Sequence, residues 1–374
     1  MTKPSTATAN VVVIGLGAVG SFVMDVLKEG YPKIRVLGAA DINPRKAGKK
    51  LTELYPDTPG LEGLVVASSI EECLAGITEK IDVIYHLTES VPLDIEPQLV
   101  MALNAGANVI SAGESMFYPG FRHPDFTARI DKLAKQKGVS IVGVGINPGF
   151  SFDALPLQLA HLTSGVKKID IDRVIDVTGT GPGDISHVGY LLEPAEFDRK
   201  IKTGEIVGHM GAPESLALMA ERLGMEIDTI EERWETEVAD FEIESGVVEL
   251  GMIKPGVVVG ITQYGEAKRK GETVISLRLV MYYSPEKFGL ELRDRIEIVG
   301  SHHITMTLTP AAISIFGAAN AIVNATHDVM AAPPGVVNVL DFSVGGPNRG
   351  GFTYEIDPSR TDVPGSIPVM QKPF

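Results

Sequence analysis

A glycine-rich segment near the start of the chain has the residue types and spacing that bind a nucleotide pyrophosphate. Gly15, Gly17 and Gly20 directly follow a β-branched run and directly precede a helical apolar pattern. We expect Gly15 to permit a tight turn, Gly17 to let the backbone approach a phosphate, and Gly20 to let the helix pack on the strand. Ala18 and Val19 open that helix, where free amides and the helix dipole favour phosphate. The segment therefore predicts a site for NAD or NADP.

Residues that could select between these cofactors follow at the end of the second predicted strand. Asp41 stands about 20 residues after the glycines, where a carboxylate hydrogen-bonds the adenosine ribose and favours NAD. Asn43, Arg45 and Lys46 lie in the same loop and could instead bind a 2′-phosphate, which favours NADP. The sequence is compatible with either cofactor and with dual use.

Glu114 is the candidate for acid–base chemistry. It comes just after the predicted strand Asn108–Ser111, at the edge where Leu87 and Thr88 end another strand and line the expected cofactor crevice. In a closed apolar site, desolvation favours the protonated form of a carboxyl group and brings its titration toward neutral pH. A loop glutamate without a chemical role is an equally good interpretation of this position.

Three further side chains are candidates for a substrate pocket at the same edge. Phe117 would supply an aromatic wall beside the glutamate. Asn147, in an Asn-Pro-Gly-Phe turn, could hydrogen-bond the nicotinamide amide or the substrate, and Phe150 could cover it. The same turn also fits a rigid hinge between two domains, and both roles are compatible.

The sequence predicts no metal centre. His187, His302 and His303 lack neighbours at the spacing of metal ligands. The single cysteine, Cys73, excludes an intrachain disulfide and a thiolate cluster.

The elements that must position these residues alternate between strand and helix up to about residue 150. Short buried apolar runs follow one another with helical patterns between them, as in a doubly wound parallel sheet. We therefore predict an α/β Rossmann domain for dinucleotide binding over residues 1–150.

The pattern changes in the second half of the chain. Two helical segments are followed by alternating apolar and polar residues from Thr229 to Ile298, which is typical of an antiparallel sheet with one covered face. We predict a second, α+β domain for substrate binding and dimerisation over residues 151–305. Residues 306–374 would hold a long apolar helix, Thr309–Val329, that returns to the nucleotide domain, and a Pro- and Gly-rich tail.

Composition limits the class of partner. The 374 residues carry 33 basic and 48 acidic side chains, a net charge of −15, which disfavours nucleic acid and anionic membranes. We find no apolar run of membrane-spanning length and no apolar leader. We therefore expect a cytoplasmic protein that acts on a small molecule. The antiparallel sheet of the second domain is a common type of dimer surface and predicts a homodimer.

Several segments together resemble the 2,4-diaminopentanoate dehydrogenase family, which includes the native amine dehydrogenases and is related to dihydrodipicolinate reductase in its N-terminal domain. The most specific are an Asn-Pro-Gly-Phe turn and a Gly-His-x-Gly-x-Pro-Glu-Ser stretch. The segments are Val11–Gly20, Ile110–Glu114, Gly145–Phe150, Gly208–Ser215 and Ala331–Gly335.

The resemblance implies NAD(P)-dependent oxidative deamination of an amine, reversible as reductive amination of a ketone with ammonia. It places the family's catalytic glutamate at Glu114. The chain departs from the family pattern in having Ser115 after the glutamate and Ala112-Gly113 before it, so pocket polarity and substrate can differ. Arg173 is a candidate partner for a substrate carboxylate, although an exposed strand arginine is the simpler interpretation.

Two alternatives predict different behaviour. A dihydrodipicolinate reductase or another imine or carbonyl reductase would share the fold, but a His-His pair with a nearby Lys is missing around residues 150–190. A nucleotide-binding sensor would bind the cofactor without turnover.

Overall fold

The chain folds into two main β-sheets with helices packed against them. The computed structural model describes residues 8–28, 33–181, 185–186, 188–206, 208–248, 250–342, 352–356 and 369–373. In chain order the strands are β1 (Ala9–Ile14), β2 (Ile34–Ala40), β3 (Val66–Ala67), β4 (Val83–His86), β5 (Asn108–Ser111), β6 (Ser140–Gly143), β7 (Lys168–Asp176), β8 (Thr229–Val238), β9 (Ile243–Glu244), β10 (Met252–Ile253), β11 (Val258–Arg269), β12 (Glu272–Tyr282), β13 (Arg293–Val299), β14 (Ile304–Leu308), β15 (Gly335–Asn338), β16 (Phe352–Ile356) and β17 (Val369–Pro373). The helices are α1 (Ala18–Lys28), α2 (Leu51–Leu54), α3 (Ile70–Ala75), α4 (Pro92–Asn104), α5 (Pro119–Arg122), α6 (Pro124–Lys137), α7 (Ala154–Ala160), α8 (Pro194–Thr203), α9 (Ala212–Leu223), α10 (Ser314–Asn324) and α11 (Thr326–Ala331).

The first sheet has seven strands in the order β15-β6-β5-β4-β1-β2-β3, and every neighbouring pair is parallel. Two separate apolar clusters cover its two faces, which explains why β1 and β4 are runs of buried side chains with no polar alternation. The carboxyl ends of β1, β4 and β5 meet at one edge, where parallel α/β sheets place their ligands. The predicted Rossmann-type sheet is confirmed.

The end of the chain returns to this first sheet. Helices α10 and α11 bury Ala319, Ile322 and Val329 in the same cluster as α1 and β1, and β15 pairs with β6. The prediction of one helix over 309–329 is wrong, because β14 runs to Leu308 and two shorter helices follow. Pro310 has no N–H to donate and Ile313 is extended, so the helix begins only at Ser314.

The second sheet has six strands in the order β14-β13-β7-β12-β11-β8. Most pairs are antiparallel, as predicted, but β7 and β12 run parallel, so the sheet is mixed. A parallel pair needs a long crossover, and the whole segment between Asp176 and Glu272 supplies it. Helices α7 and α9 cover one face with the main apolar core, which includes Leu157, Leu216 and Met219.

Two predictions concern the C-terminal tail and the lack of a membrane-spanning segment. Beyond residue 342 the structure describes only the antiparallel pair β16 and β17, so the predicted surface position of the tail lies mostly outside the described residues. Within the described part of the chain, no helix combines the length and apolar character needed to cross a bilayer.

Candidate active site

The glycine turn between β1 and α1 leaves one open approach to the backbone. Gly15 has φ +91°, and a Cβ there would lie 2.5 Å from the Leu87 carbonyl oxygen. A Cβ on Gly20 would lie 2.1 Å from the Gly15 carbonyl oxygen, so this glycine permits close contact of helix and turn. A Cβ on Gly17, by contrast, would meet nothing within 4 Å. A phosphate can therefore reach the turn at Gly17, beside the first amides of α1.

The carboxylate of Asp41 faces this turn. Its oxygens accept the backbone N–H of Leu16 at 2.8 Å and of Asn43 at 2.7 Å. Lys46 Nζ donates to the Leu16 carbonyl and lies 3.9 Å from Asp41 Oδ2. Arg45 is exposed, and its N–H donates to Asn43 Oδ1 at 2.9 Å. The Asp41 carboxylate has further lone pairs that can accept hydrogen bonds from ribose hydroxyls. Lys46 places a positive charge beside the same carboxylate.

The remaining predicted cofactor residues lie around this turn. Leu87 donates its N–H to Ile14, at the end of β1, and Thr88 beside it is exposed. Ala18 is exposed at the start of α1, and Val19 is half-buried. The structure thus brings together the amides, the open glycine and the acidic residue that a dinucleotide requires, and these residues fit such a group.

Glu114 lies in a short 3₁₀ turn, Glu114–Met116, directly after β5. Its N–H donates to Ser90 Oγ at 3.0 Å. The turn packs against the backbone of β6, where a Cβ on Gly143 would lie 2.3 Å from the Met116 carbonyl carbon. The side chain of Glu114 is only 26% exposed. The backbone of this turn is therefore held by Ser90 and by β6, while the Glu114 side chain remains partly accessible.

Two groups from a distant segment contact the Glu114 carboxylate. Met210 donates its backbone N–H to Glu114 Oε2 at 3.1 Å. His209 Nε2 lies 3.5 Å from Glu114 Oε1, and Asn147 Nδ2 lies 2.6 Å from the same imidazole nitrogen. When Asn147 donates, Nε2 accepts and the imidazole is neutral; when the imidazole is protonated at Nε2, it can donate to the carboxylate. A proton can therefore lie either on Glu114 or on His209.

Residues His209 and Met210 were not assigned a role in the sequence analysis. They lie in the Gly208–Ser215 stretch that resembles the family, but a contact across about 95 positions leaves no periodic signal in one sequence. The sequence feature that could have pointed to His209 is its place between two glycines just before a predicted helix. Gly208 has φ +68° and would place a Cβ 2.7 Å from the Trp234 ring, and Gly211 packs equally closely on Pro148. These contacts fix the segment beside the glutamate.

Arg173 does not lie where it was expected. The side chain is 0% exposed and forms an ion pair with Asp294 on β13. Its other nitrogen donates to the Ala312 carbonyl at 2.6 Å and to Ser314 Oγ at 2.9 Å. The interpretation as an exposed strand arginine is wrong, and Asp294 neutralises the charge that a substrate carboxylate would need. Arg173 instead holds Ser314, whose hydroxyl lies 3.4 Å from Asn147 Oδ1.

The two aromatic candidates differ in accessibility. Phe117 is 3% exposed and its carbonyl accepts a hydrogen bond from Asn338, so it offers little surface to a ligand in this conformation. Phe150 is 41% exposed at the end of the Asn147 turn and can contact one.

Two buried titratable side chains, His86 and Asp153, hydrogen-bond the segments that form the site. His86 at the end of β4 bonds Ser111 and Thr88, each at 2.9 Å, and burial lowers its pKa to about 4. Asp153 is the N-cap residue of α7 and accepts from the Gly149 N–H and, at 2.7 Å, from Ser215 Oγ. Burial raises the pKa of Asp153 to about 6 against these hydrogen bonds.

No metal centre is found among the residues that the structure describes, where no three His, Cys, Asp or Glu side chains are grouped as ligands. His302 and His303 are exposed, and His303 contacts Glu297 at 3.0 Å. His187 lies outside the described residues.

Comparison with known proteins identifies the family. A model of the 2,4-diaminopentanoate dehydrogenase C-terminal domain matches residues 150–355. The 2,4-diaminopentanoate dehydrogenase of Acetoanaerobium sticklandii is 30% identical over 342 residues, which are 89% of this chain and 93% of that protein. An amine dehydrogenase of Streptomyces virginiae is 26% identical over 227 residues, 59% and 61% of the two chains. The structure of an amine dehydrogenase from Mycobacterium smegmatis superposes with a TM-score of 0.81 at 22% identity, covering 92% of this chain and 99% of that one. The chain therefore belongs to the 2,4-diaminopentanoate dehydrogenase family of oxidoreductases.

Proposed function

We propose that this protein oxidatively deaminates an amine to a ketone and ammonia with NAD or NADP, and catalyses the reverse reductive amination. The observation that carries the proposal is the Glu114 carboxylate, which meets His209 and the Met210 amide at the carboxyl edge of the parallel sheet. The relatives named as amine and 2,4-diaminopentanoate dehydrogenases support an amine substrate.

The glycine turn and Asp41 would hold the cofactor. Gly17 leaves space for the pyrophosphate, and the spare lone pairs of Asp41 suit ribose hydroxyls. When bound, the nicotinamide ring accepts or supplies the hydride. Lys46 and the exposed Arg45 would accept a 2′-phosphate, so the loop supports both NAD and NADP.

The residues of this chain supply proton transfer and position. In the deamination direction Glu114 accepts a proton from the substrate ammonium and releases it to solvent, so the nitrogen lone pair is free to form the C=N bond as the hydride leaves carbon for the bound cofactor. Water then adds to the iminium carbon and gives a proton to the carboxylate. That proton passes to nitrogen, and the remaining O–H proton is lost to the carboxylate as the C–N bond breaks, which releases ammonia and the ketone. His209 can share the proton, and Asn147 holds the imidazole in place.

Two substrate classes follow from this proposal, a 2,4-diaminopentanoate-like amine and a simple alkyl amine. Arg173 gives no support to a required carboxylate, because its charge is buried against Asp294. Phe150 supplies apolar surface next to Asn147, which favours an alkyl portion at that side of the pocket.

The test is absorbance at the reduced-nicotinamide band with NAD and NADP in separate reactions. The panel holds 2,4-diaminopentanoate, simple alkyl amines, and ketones with ammonium. Amine-dependent reduction that Glu114→Gln abolishes supports the proposal, and the preferred amine decides between the two classes. Cofactor binding without turnover on any amine or ketone would refute it and favour the sensor. Turnover of cyclic imines alone would favour a reductase of the dihydrodipicolinate type.

We also propose that the protein is a homodimer that pairs through its second sheet. The face of this sheet that is turned away from the helices carries half-buried charges, including Asp172 between Arg278 and Arg293. Light scattering at micromolar concentration tests this, and a monomer would contradict it.

A further inference from the structure

One peptide group connects the Glu114 carboxylate to a second buried side chain. The peptide between His209 and Met210 gives its N–H to Glu114 Oε2. Its carbonyl oxygen accepts a hydrogen bond from Gln263 Nε2 at 2.9 Å. Because the N–H and C=O of a trans peptide point in opposite directions, Glu114 and Gln263 hold the peptide from its two sides. The orientation of Gln263 therefore decides where the donor to the glutamate lies.

Gln263 is oriented by two acceptors. It lies on β11 with its side chain 0% exposed, and its Nε2 also donates to Glu232 Oε1 on β8. Both partners of Nε2, a carbonyl and a carboxylate, are acceptors only, so a flipped amide would set oxygen against oxygen. Gln263 Oε1 is buried without a hydrogen-bond partner among the described residues. The Gln263 amide therefore donates two hydrogen bonds from Nε2, while its Oε1 accepts none among the described residues. A buried oxygen without a partner is unusual in folded proteins and needs an explanation.

Glu232 accepts this hydrogen bond without a counter-ion of its own among the described residues. Within the described ranges no lysine, arginine or histidine nitrogen lies within 4 Å of its carboxylate. The charged groups that act on it are Arg122 and Glu214, and Arg122 Nε is already paired with Glu214 Oε1 at 2.9 Å. The surrounding protein desolvates the Glu232 carboxyl and raises its pKa, against the hydrogen bond from Gln263 and the charge of Arg122, and the ionised carboxylate can only accept from the Gln263 amide.

We propose that Gln263 and Glu232 are positioning residues for the catalytic glutamate. Glu232 locks the amide of Gln263, the amide holds the His209 carbonyl, and the Met210 N–H is thereby aimed at Glu114. A peptide whose carbonyl accepts a hydrogen bond is a stronger donor at its N–H, so the same chain stabilises the ionised carboxylate. This inference rests on the proposed role of Glu114 in amine oxidation.

The test uses the full-length enzyme with Gln263→Met, which removes both donors at similar volume, and Glu232→Gln, which keeps the shape but lets the amide flip. Glu226→Gln is the control for the substitution itself, since this glutamate has an 80% exposed side chain and accepts from Arg269 at 2.7 Å. We expect kcat to fall about 10- to 100-fold for Gln263→Met, less for Glu232→Gln, and not at all for Glu226→Gln. Dissociation constants for the reduced cofactor should be unchanged in all three.

The pH profile separates positioning from a merely structural role. His209 is the titratable group that faces Glu114 here, and none of the variants replaces it. With a weaker donor at Met210, the acid limb of kcat should move to higher pH by about half a unit or more in Gln263→Met. A variant that loses thermal stability but keeps the kcat and acid limb of the wild type would overturn the inference. If Gln263→Met does not fold, an unchanged kcat in Glu232→Gln has the same meaning. Lack of amine turnover in the wild type would instead refute the proposed function.

Discussion

The ion pair between Arg173 and Asp294 predicts a large and specific loss of stability. The two side chains are 0% and 3% exposed, and the guanidinium also bonds Ser151, Ala312 and Ser314. Asp294→Asn keeps the shape of the acceptor but leaves a buried positive charge without its counter-ion. Breaking a buried pair in this way costs about 3–5 kcal/mol.

Urea unfolding measures this cost. Trp234, the single tryptophan, reports on the second sheet, and circular dichroism reports on the whole chain; agreement of the two supports a two-state analysis. Glu96→Gln is the control, because it breaks the pair with Arg129, whose side chain is 56% exposed, and should cost no more than about 1 kcal/mol.

A double-mutant cycle with Arg173→Met tests the electrostatic reason. Once the arginine is gone, Asp294→Asn no longer strands a charge, so the double variant should be less destabilised than the sum of the two single variants by about 2 kcal/mol or more. Additive single effects, or a loss below about 1 kcal/mol for Asp294→Asn, would refute the reasoning. Arg173→Met should also lower kcat, because Ser314 then loses the group that holds it toward Asn147.

Further predictions concern the proposed catalytic residue, the cofactor turn and the two buried titratable groups. Glu114→Gln should bind reduced cofactor normally by fluorescence titration and lose about 10²- to 10⁴-fold in kcat; a near-normal rate would make the residue a bystander. Gly17→Ala should fold normally but bind cofactor weakly, since its Cβ would fill the open space left for the phosphate. Gly20→Ala should unfold at lower urea concentration, since its Cβ would lie 2.1 Å from a carbonyl oxygen. Equal effects of the two substitutions on folding would contradict this. The raised pKa of Asp153, about 6, makes the native state bind more protons than the unfolded chain between about pH 4 and 6, so its contribution to stability is lost as pH rises through 6. The lowered pKa of His86, about 4, has the opposite sign, and its contribution is lost as pH falls from 6.5 through 4. Each shifted pKa is worth about 3 kcal/mol. Between pH 4 and 6.5 the free energy of unfolding should therefore rise more steeply with pH in Asp153→Asn than in the wild type, and less steeply in His86→Gln. Parallel curves for the three proteins would show that the two pKa values are not shifted.

Much of the first sheet could be predicted because its strands are largely buried. The predicted strand Asn108–Ser111 has the same bounds in the structure, since the middle of a strand covered on both faces is apolar. The glycine turn was equally predictable, because Gly15 and Gly20 are required by close contacts with backbone carbonyls and Gly17 leaves open space for a phosphate.

The contacts of the candidate site were less predictable because they join distant parts of the chain. The burial of Arg173 depends on Asp294, and the environment of Glu114 depends on His209; in both cases the partner lies far away in sequence. Charge alone placed Arg173 at the surface, where most arginines lie. A single sequence shows that a residue is charged but not which distant strand brings its counter-ion.

The return of β15 to the first sheet has a consequence for how the protein is made. The sheet that carries the glycine turn gains its last strand, Gly335–Asn338, only after all six strands of the second sheet have been synthesised. At a translation rate of about 5–20 residues per second, β6 would wait roughly 10–40 s for its neighbour. During that time the edge of β6, and the apolar surface that α10 and α11 later cover, are open to other chains. A nascent chain stalled before residue 314 should therefore be retained by chaperones, although it already contains every residue of the cofactor turn.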